Sequence, residues 1–213
     1  MFFSFDGIDG SGKSTQIQLL QGWLMTHGHQ VEIYRDPGST ELGEKVRTIL
    51  LAKSDMPIGG VAELMLYMTA RAQLVDQLIR PALEAGKMVI VDRYLLASLA
   101  YQGHAGSNSI QSVHQVGQVA TQGVLPRLTF LLDIDPDTAW ARLNRERDRI
   151  EERGKAYLTK VREGFLMEAK KQSDRIVVID ASQEVNQIHE QIVAAARNVL
   201  LAENRLPTEG AKR

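Results

Sequence analysis

The stretch that most limits how this chain folds is Gly7-Ile8-Asp9-Gly10-Ser11-Gly12-Lys13-Ser14. It sits between the apolar run Met1–Phe5 and the segment Thr15-Gln16-Ile17-Gln18-Leu19-Leu20. The order is strand, glycine-rich turn, helix, and the pattern G-x-x-x-x-G-K-[ST] falls on Gly7, Gly12, Lys13 and Ser14. Such a turn wraps a polyphosphate because its glycines let successive backbone N–H groups point inward. A helix starting near Lys13 adds its unpaired N–H groups and the positive end of its dipole. Lys13 supplies a cation for the β- and γ-phosphates, and the Ser14 hydroxyl is placed to ligate Mg²⁺. A chance glycine turn would have no reason to sit in this context. The expected nucleoside triphosphate site is therefore Gly7, Ile8, Asp9, Gly10, Ser11, Gly12, Lys13, Ser14 and Thr15.

Downstream, short apolar runs alternate with helical periodicity. Strands are expected at 2–6, 31–34, 88–92, 128–133 and 175–180. Helices are expected at 13–26, 42–51, 61–85, 95–102, 110–121, 136–147, from the arginine-rich stretch to 172, and 185–202, with Pro81 a candidate kink. Alternation with buried strands points to an α/β fold: a five-stranded parallel sheet covered by helices on both faces. One domain is expected over 1–213, with a polar tail at 204–213 and no repeat or linker.

Composition narrows the function classes. A net charge of -1 gives no general pull toward nucleic acid or acidic membranes. The absence of cysteine removes disulfides, thiolate catalysis and cysteine-held zinc. No apolar run reaches a membrane span, and the amino terminus reads as a core strand, so a cytoplasmic enzyme is the expectation. The five histidines lack metal-ligand spacing.

Other residues gather at the expected carboxyl edge of the sheet, where open α/β folds bind ligands. Asp92 closes a buried strand and is placed to hold Mg²⁺ opposite Ser14; the plain alternative is a turn aspartate. Arg35, Arg47 and Arg93 lie at strand ends or adjoining turns. Together they suit a second phosphate, and singly they suit surface ion pairs. Tyr67 and Arg71 share a helix face at i and i+4, which fits either base recognition or a tyrosine at the core margin. Residues 142–153 carry Arg142, Arg145, Arg147, Arg149 and Arg153 among acidic residues. That run is either a solvated helix or a mobile lid closing on a transferred phosphoryl group.

Four blocks resemble the bacterial type of thymidylate kinase, a P-loop nucleoside-monophosphate kinase family. They are Phe5–Gln16; Arg35-Asp36-Pro37-Gly38-Ser39-Thr40 with Gly43, Glu44 and Arg47; Asp92-Arg93-Tyr94 with Ser98, Ala100, Tyr101, Gln102 and Gly103; and Asp148-Arg149-Ile150-Glu151. The resemblance runs from Phe2 to about Asp180 and implies a P-loop NTPase fold with an arginine-containing lid at about 142–153. It implies phosphorylation of dTMP to dTDP by Mg-ATP in a homodimer. By the same resemblance, Asp9, Arg35, Pro37, Arg47, Tyr67, Arg71, Arg93, Ser98, Tyr101 and Gln102 surround dTMP. Ser14 and Asp92 hold the metal. Lys13, Asp9 and Arg93 act at the reacting phosphates, and because the loop carries Gly10, the catalytic arginine falls to Arg149, Arg147 or Arg145.

The chain departs from the family pattern at Asp6 and Asp36, which replace glutamates, at Ser39 and at Ala97. A kinase for another deoxynucleotide and a non-catalytic nucleotide-binding module remain the alternatives. A GTPase switch would need an N-K-x-D motif, which is absent.

Overall fold

The computed structural model describes residues 1–53, 56–143 and 148–206. Five strands, β1 Phe2–Asp6, β2 Val31–Arg35, β3 Met88–Asp92, β4 Leu128–Asp133 and β5 Ile176–Asp180, form one sheet in the order β2-β3-β1-β4-β5. Each pairing is parallel, with Phe3 opposite Ile90 and Phe5 opposite Phe130. β1 is buried along its whole length because it lies mid-sheet. The chain leaves it toward β2 and β3 on one side and later reaches β4 and β5 on the other. This change of direction opens a crevice at the carboxyl ends of β1 and β3.

Alternate residues of the strands feed different cores. Phe3, Phe5, Ile90 and Phe130 pack with α1 (Lys13–Thr26), α8 (Lys155–Lys171) and α9 (Val185–Ala202). Phe2, Val89 and Val91 pack with Leu74, Ile79 and Ala82. These last residues belong to a helical run made of α3 (Gly60–Leu74), a π-helical turn (Val75–Ile79) and α4 (Arg80–Glu84). α2 (Glu41–Leu51) packs on α3 through Val46, Leu50 and Ala70. α5 (Leu95–Ser98), α6 (Ile110–Thr121) and α7 (Pro136–Ala141) complete the α-helices of the described residues, and Glu151–Arg153 form a short 3-10 turn. None of them is long and apolar enough to cross a membrane.

Three elements differ from expectation. The expected single helix 61–85 is interrupted by the π turn Val75–Ile79, which ends two residues before Pro81. The Arg80 N–H reaches back five residues to Val75, which accommodates the proline ring one position on. α5 passes into a second π turn, Leu99–His104, so Gly103 and His104 are helical and not part of the loop expected there. α7 stops at Ala141, short of the expected Arg147, and 144–147 lie outside the described residues.

Candidate active site

The glycine loop forms the floor of a cleft of about 640 Å³. Asp9, Gly10, Ser11, Gly12, Lys13, Ser14, Thr15 and Gln16 line one side of it, and Arg142, Leu143 and Ser182–Val185 line the other. Gly7 and Ile8 lie behind the loop, and their carbonyl oxygens accept hydrogen bonds from Lys13 Nζ at 3.1 Å each. Burial draws the Lys13 pKa down, and Arg93 adds to this, while Asp9, Asp92 and Asp6 oppose it.

Gly10 explains why this loop has no side chain at its crest. Its φ is +82°, and a Cβ there would lie 2.2 Å from the Ala139 carbonyl oxygen of α7. Any larger residue meets both an unfavourable backbone region and fixed backbone atoms.

Beside the cleft is a narrower pocket of about 90 Å³. Every residue expected to surround dTMP lines it except Arg35: Asp9, Pro37, Arg47, Tyr67, Arg71, Arg93, Ser98, Tyr101 and Gln102. Arg35 lines the larger cleft instead, and its Nη2 donates to both carboxylate oxygens of Glu44 at 2.9 and 3.0 Å. That pair is half exposed, so it holds the turn before α2 only weakly.

Arg71 is almost fully buried at the pocket wall, 1% exposed. Its Nε donates to Asp36 Oδ2 at 2.5 Å, Nη1 to Met68 Sδ, and Nη2 to Tyr94 O and Ser98 Oγ at 3.0 Å each. These four contacting groups come from four elements or turns, so the guanidinium is held in one orientation. Ser98, Tyr101 and Gln102 reach the pocket together because positions i, i+3 and i+4 share one helix face. Tyr67 stands four residues before Arg71 on α3, and burial pushes its hydroxyl pKa up.

Arg93 joins the two cavities. Its backbone is left-handed, φ +69°, a conformation that costs energy for a non-glycine residue. The guanidinium donates to Gly7 O and to Asp9 Oδ1 at 2.8 Å each, and lies 5.1 Å from the centroid of the Tyr101 ring. Arg47 Nη1 donates to Pro37 O at 3.0 Å. Asp9, Asp36, Arg47 and Arg93 line both cavities.

Ser14 and Asp92 both line the cleft, and Asp92 Oδ1 is buried with no hydrogen-bond partner among the described residues. A hydroxyl and a carboxylate are the hard oxygen donors that suit Mg²⁺.

The arginine-rich segment does not place Arg149 in the cleft. Its Nε donates to Leu50 O and its Nη2 to Glu63 Oε2, at 2.7 Å each. Arg145 and Arg147 lie outside the described residues. Asp148 and Ile150 of the same segment line the narrow pocket.

Sequence reasoning passed over Glu63, whose signal was an acid on the same helix face as Tyr67 and Arg71. It also passed over the turn after β5, Ser182–Glu184, though its place at the carboxyl edge of the sheet marks it. Arg142 was noted only as part of the run; it donates to Ala181 O at 2.9 Å and faces the cleft.

A family model described as thymidylate kinase matches residues 5–192. The chain belongs to the thymidylate kinase family. Thymidylate kinase of Thermoanaerobacter sp. (strain X514) is 43% identical over 200 residues, covering 93% of this chain and 98% of that protein. Thymidylate kinase of Kosmotoga olearia is 43% identical over 195 residues, covering 91% and 93%. Among solved structures, thymidylate kinase from Ehrlichia chaffeensis superposes with a TM-score of 0.73 at 30% identity, covering 92% of this chain and 98% of that one. The family's kinase and transferase chemistry in nucleotide biosynthesis therefore belongs to this chain.

Proposed function

We propose that the wide cleft takes the Mg-ATP donor, that the narrow pocket takes dTMP, and that phosphoryl transfer occurs where the two meet. The reaction of this dTMP kinase is the phosphorylation of dTMP to dTDP. One observation carries the assignment of the cavities. Asp9, Asp36, Arg47 and Arg93 belong to both walls, so two phosphate-bearing ligands would bring their charged ends to the same four residues.

In this reading the loop N–H groups and Lys13 bind the donor phosphates. Arg93 sits between donor and acceptor, where negative charge spreads over the transferring group. Arg47 faces the acceptor phosphate from α2, while Arg35, at the end of β2, lines the donor cleft. Arg71 presents its remaining N–H to the base, and the Tyr67 ring offers a stacking face. Ser14 and Asp92 would hold Mg²⁺, which supplies charge neutralisation at the donor phosphates when bound. Catalysis is positioning plus electrostatic stabilisation, with no covalent enzyme intermediate. Arg145 and Arg147 remain the candidates for a lid arginine, because the Arg149 guanidinium is engaged at Leu50 and Glu63.

The homodimer belongs to the same proposal. Exposed Leu42 and Ile49 on α2, Val61 and Met65 on α3, and Val119 on α6 support it, since α3 packs against both other helices. Sedimentation analysis tests it.

The deciding experiment for the reaction is a coupled ADP-release assay over a panel of nucleoside monophosphates. dTMP should give the highest kcat/KM. Highest activity with AMP or CMP would overturn the acceptor assignment, and no turnover with any acceptor would favour a binding module.

A further inference from the structure

We propose that Glu63 is a positioning residue: it fixes one wall of the acceptor pocket by holding residues 148–153 against α3. The inference rests on the narrow pocket being the dTMP site.

Glu63 lies in the first turn of α3 and is 3% exposed. A buried carboxylate is costly unless hydrogen-bonded and paired. Its Oε1 accepts from Gln102 Nε2 at 3.1 Å. Its Oε2 accepts from Arg149 Nη2 at 2.7 Å and also from Arg153 Nη2. One carboxylate thus pairs with two guanidinium groups from a single stretch of chain.

The contacts around it spread the constraint. Arg149 also donates to Leu50 O at the end of α2. Arg153 Nη1 donates to Tyr157 Oη at 3.0 Å, and Tyr157 Oη donates to Tyr101 O at 2.9 Å. Asp148 and Ile150 lie beside these anchors and form part of the acceptor pocket, and Ile150 is buried. Gln102 lines the same pocket. Without the Glu63 charge, Arg149 and Arg153 lose their shared anion and repel each other, and the wall they carry loses its anchor. The donor cleft has no residue in this cluster.

The test is Glu63→Gln, which keeps the shape and removes the charge. Calorimetry with dTMP alone should show its Kd raised by at least about tenfold, as expected for loss of charge-assisted hydrogen bonds. In steady state the dTMP KM should rise similarly, with the ATP KM within about twofold. Arg149→Met should raise the dTMP Kd as well. The double variant Glu63→Gln/Arg149→Met should bind dTMP no more weakly than the worse single variant, since both remove one interaction. Unchanged dTMP Kd in Glu63→Gln, additive losses in the double variant, or an equal rise of both KM values would each overturn the proposal. Should Glu63→Gln not fold, Arg149→Met and Arg153→Met alone decide it, and parent-like dTMP Kd in both would overturn it. Turnover of dTMP by the parent, measured first, tests the functional reading separately.

Discussion

Replacing Arg71 by methionine separates what this residue does for the fold from what it does for recognition. Arg71 and Asp36 are an ion pair with side chains 1% and 0% exposed. Asp36 Oδ1 has no hydrogen-bond partner among the described residues, and Oδ2 takes its hydrogen bond from Arg71 Nε. Arg71→Met therefore leaves a buried carboxylate with its counter-ion gone. Breaking a buried pair this way costs about 3–5 kcal/mol. For a chain of this size that lowers Tm by roughly 6–20 °C, at about 2–4 °C per kcal/mol.

The penalty should be smaller in acid. Burial already raises the Asp36 pKa despite Arg71, and removing Arg71 raises it further. A raised folded pKa means that stability is greatest below the unfolded value and is lost as pH rises through the folded one. Adding Asp36→Asn removes the charge and should restore most of the loss at neutral pH. Urea denaturation of the parent, Arg71→Met and Arg71→Met/Asp36→Asn at pH 5 and pH 8 measures all of this. Both variants should still bind dTMP poorly, because the base contact is absent in each. A single variant within about 1 kcal/mol of the parent at pH 8, or a double variant no more stable than the single, would refute the reasoning.

Lys13→Ala should lower kcat by about 10²-fold or more with the fold intact, as read by single-turnover ADP formation. Gly10→Ala should lower both stability and kcat, because its Cβ would meet the Ala139 carbonyl at 2.2 Å; a thermal melt and a turnover assay check the two arms. Tyr67→Ala should cost about 10- to 100-fold in kcat/KM for dTMP if the ring stacks on the base, with the ATP KM little changed. Asp6 is fully buried with both oxygens unpartnered among the described residues, and burial raises its pKa to about 7 against the opposing charges of Arg93 and Lys13. Its contribution to stability should be full below about pH 4, fall by up to about 1.4 kcal/mol per pH unit, and be lost as pH rises through about 7. Denaturation of Asp6→Asn across that range should show a flatter pH dependence than the parent.

Local chemistry determined much of this protein. The spacing of Gly7, Gly12, Lys13 and Ser14 specifies a strand–turn–helix that binds phosphate, because only that backbone path brings the N–H groups together. Apolar runs such as Val89-Ile90-Val91 are legible as buried strands because a parallel sheet is covered on both faces. The i, i+4 spacing of Tyr67 and Arg71 placed them on one face before any fold was known.

Other features depended on distant partners. Which strands are neighbours follows from how the crossovers pack, so the order β2-β3-β1-β4-β5 had no local signature. The π turns at 75–79 and 99–104 interrupt regular helices at places that no local sequence signal marked. The fate of each arginine was least legible. Arg35, Arg71, Arg93 and Arg149 carry the same guanidinium, and it is the carboxylate or carbonyl brought beside each that fixes its place. For Arg149 the partners are Leu50 and Glu63, 99 and 86 residues earlier in the chain, and only the tertiary structure brings them within hydrogen-bonding distance.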